Sequence, residues 1–94
     1  MPVEFSESVE EDLATLKNKA AQEQVRHLLE AVFLRLKFSK DRLAIMRIMT
    51  NTKMITRGIY ERVHTNQEDR EHDLHRVEGA ITELATERMR QLNV

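Results

Sequence analysis

The sequence predicts an all-α chain, a three- or four-helix bundle completed by dimerisation, and three observations carry that expectation. Glycine and proline are scarce, two and one in 94 residues, and there is one Tyr and no Trp. Strands joined by tight turns need more of these residues, whereas helices need none of them. Apolar residues recur at steps of three and four, the spacing of one helix face. A chain this short buries only about 60–65 per cent of its surface when folded alone, so self-association would complete a modest core. Leu, Ile, Val and Phe still exceed a quarter of the residues, more than a chain kept disordered by its charge carries.

Helix-starting signals divide the expected single domain, residues 1–94. Ser8 with Glu11 fits a capping box, Ser39 followed by Asp41 fits an N-cap with an acid in the first turn, and Thr65 with Glu68 is a second capping box. Helices are therefore expected at about 8–37, 40–64 and 66–92. In the first, Val9, Leu13, Leu16 and Ala20 form one stripe, while Val25, Leu28, Leu29, Val32, Phe33 and Leu36 form another, rotated by roughly 160 degrees. One straight helix cannot turn both stripes to one neighbour. Either it breaks within about 18–22, in "KNKAAQE", or its halves pack on different partners. No Pro or Gly separates the second helix from the third, so those two could also be continuous. In the third, Leu74, Val77, Ile81 and Leu84 step as a bundle seam, with Arg88 next in the stripe, where a charge must pair, face a partner or reach solvent.

The net charge of -1 conceals a division. Met1 to Leu34 carries three basic residues and seven acids, Arg35 to Arg62 eight and two, and Val63 onward four and seven. A basic middle thus lies between acidic flanks. The second helix has Ile45, Ile48, Met49, Thr52, Ile55, Ile59 and Val63 on a broad core face. Beyond that face lie Leu43, Met46 and Met54, with Arg42, Lys53 and Arg57 along one edge and Lys40, Arg47 and Arg62 along the other. A helix apolar on two sides is usually sandwiched.

Two arrangements satisfy this pattern. The basic edges could pair with acids of the other helices, making the second helix simply central. Alternatively Arg42, Leu43, Met46, Arg47, Lys53, Met54 and Arg57 form a docking surface, because methionines adapt to varied partners and arginines grip carboxylates. Its expected partner is an acidic or amphipathic helical protein segment, or a second copy in a homodimer. Nucleic acid is the alternative, since "TNTKMITRG" mixes residues that can read a groove, although the acidic flanks would repel phosphates. No membrane role is expected from a basic helix without Trp.

The strip Glu68, His72, His75 and Gly79 turns away from the third helix's seam. Glu68, His72 and His75 could place one oxygen and two nitrogens on a divalent ion, a metal-binding alternative, although no second such set exists elsewhere in the chain. The six residues "HRVEGA", from His75, resemble the histidine phosphotransfer family, in which a helical histidine is followed three residues later by lysine and four later by glycine. That resemblance implies a phosphoacceptor at His75 and a receiver domain approaching over Gly79. Here Glu78 occupies the lysine position, where a carboxylate repels a phosphoryl group. "RVEGAI" similarly looks like a helical stretch of the cysteine-dependent metal-sensing repressors, but the chain has no cysteine to supply their ligands. The strip is expected to be a solvated face.

Other chemistry is excluded by residue type. With no cysteine, disulfides, thiolate nucleophiles and thiolate metal sites are impossible. Two isolated glycines cannot build a phosphate loop, and neither His27 nor His64 has a recognisable nucleophile beside it. No enzyme activity and no cofactor are expected. The start "MPVEFSESVEEDL" lacks the basic and apolar runs of a secretory signal, and the apolar stretch "AVFLRLKF" is interrupted by Arg35, so a cytoplasmic protein is expected.

Overall fold

The computed structural model describes residues 3–92, which form α1 (Glu7–Ala14), α2 (Lys19–Phe38), α3 (Arg42–Arg62) and α4 (Gln67–Leu92), with no strand among them. Short connections make successive helices antiparallel. An ion pair from Asp12 to Arg76 and a hydrogen bond from Ser6 to Glu83 lay α1 antiparallel along α4 as well. α3 packs most extensively on α4, and α1 lies across α4 and α2. Eight residues rise only about 12 Å, so α1 covers part of a bundle whose long dimension is 42 Å.

The break after α1 resolves the two rotated stripes. Thr15 closes α1 and Asn18 caps α2, accepting a hydrogen bond at Oδ1 from the Ala21 N–H. The chain therefore doubles back over residues 15–18, slightly before the expected place. Val9, Leu13 and Leu16 then face the same interior as Val25 and Leu29. Ala20, expected in the first stripe, is exposed because it starts the returning helix. A bidentate pair from Arg26 to Glu10, at 3.2 and 2.6 Å, holds the two helices together at their surface.

The other caps also differ by a residue or two from expectation. Ser6, with an extended backbone, accepts from the Val9 N–H, which leaves Ser8 inside α1. Ser39 instead ends α2, and Asp41 caps α3 by accepting from the Leu43 N–H. Asn66, not Thr65, caps α4, accepting from the Asp69 N–H at 2.8 Å. Each displaced signal lies within two residues of another competent side chain, and the tertiary path selects between them. Val63 is extended, so α3 and α4 are separate helices.

The core has two parts. One gathers all four helices around Leu13, Leu29, Ile59, Tyr60 and Val77, with Leu28 and Leu74 at its margin. The other, toward the α2–α3 turn, joins Val32, Leu36, Ile45, Ile48 and Ala85. Buried Thr52 and Thr56 satisfy their hydroxyls on the carbonyls one turn back, Ile48 and Thr52. The α4 seam is broader than Leu74, Val77, Ile81 and Leu84: Asp73, Ala80 and Ala85 are buried, whereas Leu74 and Leu84 are only half-buried. Arg88 pairs inside the fold, donating from Nε and Nη2 to the Ser39 carbonyl at 3.1 and 2.8 Å. It thereby satisfies a carbonyl at the C-terminal end of α2 and ties the hairpin turn to α4.

Gly79 lies exposed in the middle of α4, and a Cβ there would meet nothing within 4 Å. Gly79→Ala is therefore expected to stabilise the fold by about 1 kcal/mol, seen as a higher urea midpoint at unchanged slope.

Candidate functional site

α3 begins where Asp41 caps it and runs for 21 residues with its core face built by Ile45, Ile48, Thr52, Thr56 and Ile59. Its opposite side is bare. Leu43, Met46 and Met54 are 56, 50 and 66 per cent exposed, and Arg42, Arg47 and Arg57 are exposed beside them, with Lys53 half-buried. The seven side chains singled out in the sequence thus share one outward face.

Three further apolar side chains, outside that face, were not expected to be exposed. Leu34 and Phe38 project one turn apart from α2, and Ile55, assigned by its spacing to the core, is 49 per cent exposed. Ile55 sits at the margin of the core face, beside Ile48 and Ile59 but turned further toward solvent. Leu34 and Phe38 carried a readable signal: they lie opposite the Val32 and Leu36 stripe of their own helix. All six large exposed apolar side chains among the described residues belong to α2 and α3.

The charges on this face are largely without counter-ions. Of the eight cations from Arg35 to Arg62, only Arg57 makes an ion pair among the described residues, with Glu78 at 2.9 Å. The arrangement in which the basic edges are neutralised by neighbouring helices is therefore met at one position only. Between the end of α2 and the start of α3, Phe38, Leu43, Ala44 and Ile48 line an open groove of about 580 Å³ with Arg35 and Arg47 among its walls.

No family model, curated protein or solved structure matches the chain. No helix among the described residues is long and apolar enough to cross a membrane.

On α4, Glu68 and His75 are exposed, while His72 is half-buried with Nδ1 3.0 Å from Asp73 Oδ1. The ring is directed to its neighbour rather than shared with Glu68 and His75. Among the described residues no three His, Asp or Glu side chains are gathered to hold an ion.

The fully buried Asp73 went unremarked in the sequence, although it stands in line with Val77 and Ala80, an acid within an apolar seam. Its carboxylate accepts from the Lys17 N–H at 2.9 Å, the Asn18 N–H at 3.1 Å and the Tyr60 hydroxyl at 2.9 Å. Burial alone would raise its pKa. Hydrogen bonds from the Lys17 N–H, His72, the Asn18 N–H and Tyr60 outweigh that cost and hold it below the ordinary carboxylate range. Burial, then the hydrogen bond to Asp73, pushes the Tyr60 hydroxyl pKa upward. Every hydrogen bond to Asp73 is accounted for by the junction of α1, α2, α3 and α4, so its role is to clasp the fold.

Proposed function

We propose that this chain is a non-enzymatic helical interaction protein that docks a helical protein surface bearing carboxylates on the outer side of α3. One observation carries the reading: all the large exposed apolar side chains among the described residues lie on α2 and α3, and of the eight cations from Arg35 to Arg62 only Arg57 has an ion partner among those residues. Exposed apolar groups on a small chain mark contact surfaces when they are grouped. Met46 and Met54 adapt to the shape of a partner helix, and Arg42 and Arg47 offer paired donors to its carboxylates. The partner is an acidic amphipathic segment of another protein or a second copy of this chain.

Selection of a random displayed peptide library against the wild type and against the double variant Met46→Asp, Met54→Asp tests this. The wild type is expected to enrich peptides with surplus acids and apolar residues at helical spacing. Their affinity is expected to fall at least tenfold in the double variant at unchanged helicity. Peptides that bind both proteins equally would remove the docking role of this face. The exposed cations also support the nucleic-acid reading, and a gel shift with a short DNA duplex at low and high salt separates the two. Steep loss of a shifted band with salt would favour nucleic acid.

A further inference from the structure

We propose that the occupant of this face is α3 of a second copy, the two helices crossing antiparallel at Met54 about a two-fold axis. The proposal rests on the docking role given above and names its partner. Arg47 and Glu61 stand seven residues either side of Met54, two helical turns in each direction, and share its outward stripe. Both are exposed, and neither makes an ion pair among the described residues. A two-fold axis through Met54 therefore brings each Arg47 to the partner's Glu61, forming two ion pairs from one surface.

The contact is self-complementary in size as well. Thr50, which is exposed, and Gly58 lie four residues either side of Met54, so each Thr50 meets the partner's Gly58. A Cβ on Gly58 would touch nothing within 4 Å in the single chain. The chain's own packing does not require glycine there, whereas a closely approaching helix would use the space. Met54, 66 per cent exposed, packs against its own copy at the centre.

Antiparallel crossing also solves the charge problem. The end of α2, the turn and the start of α3 together carry Arg35, Lys37, Lys40, Arg42 and Arg47. Contact between two such ends would set like charges together. Crossing at Met54 sends the basic ends apart, each toward the corner where the partner's Glu61 and Glu71 line one shallow groove. Arg57 and Arg70 share that groove, and Glu78 already neutralises Arg57.

Light scattering from micromolar to millimolar concentration is expected to give twice the chain mass, falling to one chain mass on dilution. Arg47→Glu and Glu61→Arg should each raise the dissociation constant at least tenfold, and the two together should restore it, because the reversed pairs re-form across the axis. Gly58→Ala should weaken association. Because the chain has no cysteine, Met54→Cys should oxidise to a covalent dimer, while Leu43→Cys, three turns from the axis, should not. A chain that remains single at millimolar concentration overturns the proposal, as does a dimer in which the double charge reversal fails to rescue the single ones. Either result leaves the docking role itself to the peptide selection, which needs no second copy.

Discussion

Replacing Asp73 by alanine is expected to cost about 3 kcal/mol of folding stability, because the Lys17 and Asn18 N–H groups and the Tyr60 hydroxyl lose their acceptor inside the fold. In a chain of this size that corresponds to a fall in Tm of about 15 °C. The loss should appear in urea titrations followed by far-UV circular dichroism. Tyr60→Phe, which removes one of the four hydrogen bonds to Asp73 and no volume of ring, should cost only about 1 kcal/mol. Equal losses in the two variants would show that the carboxylate contributes nothing beyond its bond to Tyr60.

Acid should act through the same group. The Asp73 pKa is lowered in the folded chain, so the folded state favours the ionised form, and the stability this confers is complete above the unfolded value, about 3.9. As pH falls through that value the unfolded chain takes up the proton first, and stability declines until the folded carboxyl is also protonated. Asp73→Asn is therefore expected to flatten the pH dependence of stability below about pH 4, although it begins from a lower plateau. An acid slope identical to that of the wild type would exclude Asp73 as its source.

The second large effect is expected at Leu29, which is fully buried where α2 meets the main core. Leu29→Ala should cost about 2–5 kcal/mol, part from lost apolar transfer and part from the cavity left among rigid neighbours. Leu34→Ala on the same helix should change stability by less than about 0.5 kcal/mol, since that side chain is 49 per cent exposed. Identical chemistry five residues apart thus separates core from docking face. A cost at Leu34 approaching that at Leu29 would mean that Leu34 is covered in solution, in keeping with association through the α2–α3 face.

The helical class and the outward face of α3 were legible in the sequence, and four helices were one of the arrangements it left open. Leu43, Met46 and Met54 occupy angles that the Ile45, Ile48 and Ile59 face leaves over, and such angles follow from the helical repeat alone. Three details were not legible. Ile55 lies at an angle that either the core or solvent could take, and only the packing around α3 decides it. The caps at Ser6, Asp41 and Asn66 compete with near neighbours of similar chemistry, and the path between helices makes the choice. Leu34 and Phe38 were visible as a stripe but could have been buried against another helix.

What the sequence by itself determined is therefore local and periodic: a chain of helices, a basic middle with acidic flanks, and an apolar strip on the far side of the central helix. Only the tertiary structure decided which acid is structural and which cations lack partners. Asp73 lies 55 and 56 residues from the N–H groups it accepts, and among the described residues Arg57 is the one cation of the basic block that meets an acid, Glu78 of α4. Helical periodicity fixes the direction of a side chain relative to its own axis. Where two axes come to rest beside each other depends on the combined packing of α1 to α4, which no single segment encodes.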